Sequence, residues 1–283
     1  MRSASLGFAM TNAICTGRPA VSVTYGEGGP CAGARMVAEE TAVAFVYDGG
    51  GHAVMMATPA DLEDFAVGFT LAEGIVEASD EIEQIDIVAR EAGIELRLWL
   101  AASRTRALRE RRRRLAGPTG CGLCGIETLA EAMRPSRPVT ADLRVTPAAI
   151  HAALRALGPA QALGRETRAA HAAAFFDTDG GLVAIREDVG RHNALDKLHG
   201  GLVRAGCPAA SGFVVVTSRV SVEMVQKTAR LGAPLLVAVS APTALAIRTA
   251  EAAGLTLAAV ARADGFEVFT RPERIGADPS SPM

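Results

Sequence analysis

The sequence lacks the marks of several large classes of protein. Its apolar runs are short; residues 235–239, for example, have the length of a strand and cannot cross a bilayer. The net charge of -2 shows no basic excess, which argues against a nucleic-acid-binding protein. Residues 1–15 contain one arginine and no apolar core, so we expect a loose tail and not a signal peptide. We therefore expect no nucleic acid and no membrane among the partners.

Cysteine is scarce and scattered. Five cysteines in 283 residues do not form the dense pattern of a disulfide-stabilised secreted domain. They are Cys15, Cys31, Cys121, Cys124 and Cys207. We therefore expect a cytoplasmic protein whose thiols stay reduced.

Periodicity and turn signals divide the chain into four segments. Residues 1–36, rich in glycine and small residues, are predicted to be a loosely structured tail. Residues 37–142 are predicted to form an α+β domain that ends in a CxxC loop and its helix. Residues 143–275 are predicted to form an α/β domain, followed by a C-terminal tail over 276–283.

The α+β domain is predicted to open with a hairpin. Residues 41–47 and 52–57 alternate as strands around a glycine-rich turn. A helix is predicted to follow, with Thr58 as its cap, Pro59 at its first position and Gly74 at its end. Residues 94–100 alternate as a further half-buried strand.

The last third of the chain predicts a ligand-binding edge. Apolar strands over 213–217, 235–239 and 256–260 alternate with helices, which indicates a parallel sheet covered on both faces. Such sheets bind ligands beyond the carboxyl ends of their strands, where helix N-termini suit a phosphate. The residues expected to line this rim are Ser218, Arg219, Ser240 and Arg262. The alternative is that they are ordinary loop residues.

The CxxC of Cys121 and Cys124 admits three interpretations. A structural zinc site needs four ligands, and the sequence has no second CxxC, although His192, Asp196 and His199 share a helical face that could complete one. A dithiol redox couple is chemically sound, but no strand leads directly into the loop. A sulfur-carrying thiol is the third interpretation. It must be exposed and able to move between two protein partners, and the flanking glycines would make its loop open and mobile. The following helix N-terminus and the upstream arginines both favour the thiolate.

A second polar stretch is residues 186–197, in which two acids (Glu187 and Asp188), two arginines and a histidine crowd the start of a helix. Such density indicates either a functional site or a fixed polar network, and the residues alone do not decide between them.

Four segments together resemble the FdhD family, the sulfur carrier proteins needed to activate formate dehydrogenase. They are TGCGLCG, REDVGRHNALDKLHG, SRVSVEMVQKTARLGAP and LVAVSAPTALAIRTAEAAGLTL, and the resemblance runs over about residues 40–274. The paired glycines that commonly precede the histidine of the family's HAAA stretch are not found before His171.

The resemblance implies a mechanism and its partners. A cysteine desulfurase would load a persulfide on Cys121, with Cys124 as its CxxC partner. The sulfur would pass to a bound molybdenum or tungsten bis(molybdopterin guanine dinucleotide) cofactor destined for formate dehydrogenase. The fold class implied for the C-terminal domain is a cytidine-deaminase-like three-layer α/β domain, in a homodimer. The implied cofactor-binding segment is Val260, Ala261, Arg262, Ala263, Asp264 and Gly265.

Two other functions compete with sulfur transfer, and the residues argue against only one of them. A zinc-dependent nucleoside deaminase needs HxE and PCxxC, whereas this chain has His171-Ala172-Ala173, and Thr119-Gly120 before Cys121, so we expect no catalytic zinc. A chaperone that binds the cofactor without transferring sulfur stays open, because it would use the same rim.

Overall fold

A computed structural model describes residues 16–106, 108 and 135–276 of the chain. Cys121, Cys124 and the arginine run from Arg109 lie outside the described residues. The described part contains a two-stranded, a four-stranded and a six-stranded sheet. No helix within it is long and apolar enough to span a membrane.

The N-terminal half is built on a four-stranded sheet whose order is β4-β3-β6-β5. Its elements are β3 (Thr41–Tyr47), β4 (Gly50–Ala57), α1 (Leu62–Ala72), β5 (Ile82–Arg90) and β6 (Gly93–Leu100). The predicted hairpin and the strand over 94–100 are confirmed, whereas β5 was not predicted. One face of the sheet packs on α1, with Phe45 stacked on Phe69 at 4.0 Å between ring centroids.

The expectation of a loose segment up to residue 36 was wrong for its second half. Strands β1 (Gly17–Gly26) and β2 (Gly29–Ala38) pair as an antiparallel hairpin. Val21, Val23 and Tyr25 alternate along one face of β1 and are largely exposed. The period of two is present in the sequence, but the glycines and small residues around it hid the strand signal. The limits of the predicted domains otherwise stay predictions.

The predicted helix start at Thr58 and Pro59 was also wrong. Helix α1 begins at Leu62, after Asp61 in a left-handed conformation with φ of 51°. Thr58 is buried, and its hydroxyl accepts a hydrogen bond from the backbone N–H of Val189 at 3.1 Å, across the two halves. Tertiary contacts therefore replace the local cap. Gly74, with φ of 68°, follows the end of the helix as predicted.

The C-terminal half contains a six-stranded sheet of order β12-β11-β10-β9-β7-β8. Its strands are β7 (His171–Asp177), β8 (Leu182–Asp188), β9 (Gly212–Val216), β10 (Leu235–Ala238), β11 (Thr256–Arg262) and β12 (Gly265–Thr270). The three strands expected from the sequence, β9, β10 and β11, are parallel. The sheet as a whole is mixed, because β7, β8 and β12 join through antiparallel pairings. The parallel sheet expected from β9, β10 and β11 is thus confirmed, and it forms the middle of a larger mixed sheet.

Helices cover both faces of this sheet, which confirms the three-layer α/β class. The helices are α2 (Pro147–Ala160), α3 (Ala162–Thr167), α4 (Arg191–Arg204), α5 (Val222–Leu231) and α6 (Ala244–Ala253). One core lies between the sheet and α4, α5 and α6. The other lies between the sheet and α2, where Ile150 and Leu157 meet Phe176 and Phe213.

The two halves meet where α1 crosses α4 at backbone contact. A Cβ added at Gly68 would overlap the carbonyl oxygen of Asp196, and a Cβ added at Gly200 would overlap that of Asp64. Helix α1 is buried on almost every side, because it packs on the four-stranded sheet and on α4 at once. Glycine at both positions is what allows the helices to approach so closely.

We expect Gly68→Ala or Gly200→Ala to destabilise the protein by about 3 kcal/mol, the scale of severe overpacking. Helix propensity alone would favour alanine by up to about 1 kcal/mol, so the sign of the change tests the crossing. The matched control is Gly201→Ala, whose Cβ would meet the guanidinium of Arg186 at 2.9 Å, a side chain that can shift. Urea unfolding is the measurement, and equal stability of the Gly200 and Gly201 variants would contradict the account.

Candidate functional site

The carboxyl ends of β9, β10 and β11 form one edge of the large sheet, and the predicted rim residues lie along it. Val216 and Ala238 are the last residues of β9 and β10, with Ser218 and Ser240 just beyond. The N–H of Val260 donates to the carbonyl oxygen of Ser240 at 3.2 Å, which joins the third strand to this edge. The structure therefore brings together Ser218, Arg219, Ser240 and Arg262.

The polar groups predicted to face a ligand are partly engaged with backbone. The guanidinium of Arg262 donates to the carbonyl oxygens of Val239 and Ala261. Ser218 is buried, and its hydroxyl donates to the carbonyl oxygen of Arg219 at 3.1 Å. Arg219 itself is exposed. The contacts of Arg262 and Ser218 hold these loops in place.

The third parallel strand was predicted over 256–260, and its end was placed too early. The role of residues 260–265 in cofactor binding stays a prediction. Strand β11 continues to Arg262, Ala263 and Asp264 form an exposed turn, and Gly265 begins β12. Val260 has a left-handed conformation with φ of 53°, a strained geometry for a β-branched residue. This kink lies within a register shift between β11 and β12, between the paired residues Ala259 and Arg262.

The polar stretch 186–197 is largely a network that joins the two halves of the molecule. Asp188 and Lys197 form a fully buried ion pair of 2.6 Å between Oδ2 and Nζ. The ammonium of Lys197 also donates to the carbonyl oxygen of Thr58 at 2.8 Å, and Asp188 accepts from the N–H of Thr58. Asn193 donates to Asp188 and to the carbonyl oxygen of Met56. The fixed polar network, one of the two alternatives, thus accounts for these residues.

Two further carboxylates, those of Asp64 and Glu187, also link separate elements of the structure. Asp64 of α1 accepts from the guanidinium of Arg186, whose Nη2 lies 2.6 Å from Oδ2, and from Arg204 of α4. Glu187 accepts from the N–H groups of Leu163 and Gly164 and so holds the start of α3. Each of these bonds fixes one element relative to another.

His192, Asp196 and His199 do share one face of α4, and this face contacts α5 and α1. Asp196 binds Lys227 of α5, with both oxygens 2.9 Å from Nζ, and Lys227 also reaches Glu73 at the end of α1. Burial counts against its charge, yet these two carboxylates raise the pKa of Lys227 to about 12. No group of three metal-ligating side chains is found among the described residues.

Three further side chains of this region, His171, Arg191 and His192, lie at the rim. His171 begins β7 opposite Asp188, and the pairing of Ala173 with Val216 places it at the same edge as Ser218. Burial, followed by the charge of Arg191, lowers the pKa of His171. Arg191 and His192 form the first turn of α4. In the sequence, polar residues surround His171 and His192. The sequence gives no signal that β7 and the start of α4 bring these two histidines to the same edge of the sheet.

The fold is that of a two-part α/β protein with one open edge of strand ends and helix starts. The family model that matches it, over residues 38–276, is that of the FdhD/NarQ family. The chain belongs to this family, which confirms the resemblance noted in its motifs.

Relatives and a solved structure agree with this assignment. The sulfur carrier protein FdhD of Agrobacterium fabrum is 56% identical over 254 residues, covering 88% of this chain and 92% of the relative. That of Cupriavidus necator is 53% identical over 84% of this chain and 83% of its own. A crystal structure of a formate dehydrogenase accessory protein from Desulfotalea psychrophila has a TM-score of 0.74 and 26% identity, covering 92% of this chain and 100% of that one.

We expect Lys197→Met to destabilise the protein by about 3–5 kcal/mol, because the methionine fills the space but leaves the Asp188 carboxylate buried without its counter-charge. Arg248→Met, at an exposed position on α6, is the matched control and should change stability by about 0.5 kcal/mol or less. Denaturant unfolding measures both. Wild-type stability in the Lys197 variant would contradict the expected cost of leaving Asp188 buried without its counter-charge.

Acid should destabilise the protein through His199. Burial, and then the charges of Lys227 and Arg230, lower the pKa of His199 to about 3. The unfolded chain therefore takes up this proton first, near its usual pKa of about 6.5. The neutral imidazole therefore stabilises the folded state fully above that pH. Below it, the free energy of unfolding falls by about 1.4 kcal/mol per pH unit, until the pH reaches the pKa of the folded state. Urea unfolding between neutral pH and mildly acidic pH should show a smaller loss in His199→Gln, and parallel pH profiles would contradict this.

Proposed function

We propose that this chain is a sulfur carrier that serves formate dehydrogenase. The observation that carries the proposal is its membership of the FdhD/NarQ family over residues 38–276, with relatives named sulfur carrier proteins. The glycine-flanked CxxC of Cys121 and Cys124 supplies the thiol such a role needs. These cysteines lie outside the described residues, so their role is argued from sequence.

The transfer step is a thiol exchange. The Cys121 thiolate attacks the terminal sulfur of a persulfide on a cysteine desulfurase, the donor's S–S bond breaks, and the donor cysteine leaves as a thiolate. The product on Cys121 is a persulfide, a reversible cysteine state. Cys124 would assist its onward transfer, or release the carrier as a disulfide.

The acceptor in this proposal is a molybdenum or tungsten bis(molybdopterin guanine dinucleotide) cofactor, bound as a substrate at the rim. The edge with Ser218, Ser240 and Arg262 supports it, because strand ends and helix starts of an α/β sheet are where nucleotides bind. We further propose that the kinked segment from Val260 reads the guanine edge with backbone groups. The chain would act as a homodimer and without a catalytic zinc.

A cofactor chaperone without sulfur transfer is the alternative that shares this rim. It predicts nucleotide binding and support of formate dehydrogenase with no change in mass at Cys121. A gain in mass at Cys121 therefore distinguishes sulfur transfer from cofactor binding alone.

We expect the protein to gain the mass of one sulfur atom on incubation with a cysteine desulfurase and cysteine. Cys121→Ala should abolish this gain, since the thiolate is the nucleophile. Cys207→Ala, which removes a half-buried thiol beside β8, is the matched control and should keep it. Intact-protein mass spectrometry is the measurement. A Cys121 variant that still gains the mass, or that activates formate dehydrogenase normally, would overturn the assignment.

A further inference from the structure

The hairpin of β1 and β2, called the arm from here on, has one face made entirely of apolar residues. Directly opposite residues of an antiparallel pair lie on the same face, and alternate residues along each strand share it. The other face of the arm carries its polar side chains, Thr24 among them. The apolar face consists of Pro19, Val21, Val23 and Tyr25 of β1 and Pro30, Ala32, Ala34 and Met36 of β2.

This apolar face is uncovered within the part of the chain that the structure describes. Val21 is 90% exposed, Tyr25 81% and Val23 50%. The arm is fastened at its base, where Met36 is half-buried and the guanidinium of Arg35 donates to the carbonyl oxygen of Thr167 in α3 at 2.9 Å. A two-stranded sheet is marginally stable by itself in water, so we expect a partner to cover its apolar face.

A second uncovered apolar surface lies beside β8, an edge strand of the six-stranded sheet. Leu182 of this strand is 39% exposed and Val183 is 49% exposed. Arg186 also borders the groove, but its charge is paired with Asp64. The apolar residues that line this surface, called the β8 groove, are Leu182, Val183, Ile185, Leu202, Ala205 and Cys207.

A second copy of this chain is the partner that fits both surfaces. The exposure of Val21 and Val183 shows that the arm does not fill the groove of its own chain. The partner of the arm has to be present whenever the chain is folded, because the arm alone is only marginally stable. Across a two-fold axis each copy offers one projecting arm and one groove, so both apolar surfaces are covered at once.

The area of the arm decides how two copies meet. The apolar face is about 25 Å long and about 12 Å wide, which is on the order of 300 Å². Two arms packed face to face would therefore bury about 600 Å² in total, the size of a crystal contact. Two arms seated in two grooves bury about twice that area and reach the lower limit of specific interfaces, about 1,200 Å².

We propose that the arm of one copy packs its apolar face into the β8 groove of a second copy, and that the second copy's arm does the same in return. The inference rests on the proposed function for the homodimer and adds the two surfaces that form it. Val21 and Val183 lie in this contact and become buried in it. Thr24 lies on the opposite face of the arm and stays exposed to solvent.

The test is sedimentation equilibrium of the full chain at micromolar concentration, where wild type should be a dimer. Val21→Lys and Val183→Glu should each raise the dimer Kd by about 100-fold or more, because each buries a charge in both contacts of the dimer. Thr24→Lys on the polar face and Val268→Glu on β12, the other edge strand, are the matched controls and should change it by about 3-fold or less. All four residues are exposed or nearly so in the single chain, so its core is undisturbed.

Mixing the Val21→Lys and Val183→Glu variants tests the reciprocal arrangement. The mixed dimer keeps one arm and one groove unaltered, and in its other contact a lysine meets a glutamate. It should therefore form with a Kd about 10-fold or more below that of either variant alone. Arms that pack on each other would instead leave Val183→Glu dimeric and gain nothing on mixing.

Three outcomes would overturn the proposal. They are a monomeric wild type, an unchanged Kd in Val21→Lys or in Val183→Glu, and no gain on mixing. The sulfur gain at Cys121 distinguishes such a failure from a failure of the proposed function. A monomer that still gains sulfur would refute the arm contact and support sulfur carriage, whereas a dimer that behaves as predicted without gaining sulfur would do the reverse.

Discussion

The close crossing of α1 and α4 is the contact on which the rest of the structure depends. Gly68 and Gly200 each face a backbone carbonyl of the other helix, so no side chain separates the helices there. Helix α1 belongs to the core of the four-stranded sheet, and α4 to the core of the six-stranded sheet. A shift at this crossing would therefore move both cores and the edge at which α4 begins.

Such a crossing limits which interactions can hold the halves together. At Gly68 and Gly200 there is no room for a side chain between the helices, and buried ion pairs lie elsewhere on the same two helices. The sequence contains only two lysines, Lys197 and Lys227, and each also binds an acid of its own half. Across the junction, Lys197 donates to the carbonyl oxygen of Thr58 and Lys227 binds Glu73. Buried pairs add little net stability but tolerate little displacement, because removing one partner leaves a charge in an apolar place. We infer that they fix how the halves meet.

Local patterns predicted the regular elements well, and contacts between distant segments explain most of the errors. The strands predicted over 41–47 and 235–239 follow from periodicity, and the structure has them at Thr41–Tyr47 and Leu235–Ala238. Thr58 precedes Pro59 as a helix cap would, but it instead forms hydrogen bonds with Asp188 and Val189 in the other half of the molecule. The sequence predicted the rim serines from strand ends. It could not place His171 and Arg191 beside them, because antiparallel β7 and the start of α4 reach that edge from other segments.

In the proposed function, the edge of the large sheet would bind the nucleotide and the CxxC would carry the sulfur. The central claim is that sulfur passes through this chain on its way to formate dehydrogenase. Its most direct test uses radiolabelled cysteine, a cysteine desulfurase, this protein and inactive formate dehydrogenase with its cofactor. The account predicts that label appears first on this chain and then on the cofactor of the dehydrogenase, in step with the rise in formate oxidation. Activation without label passing through this chain would contradict it.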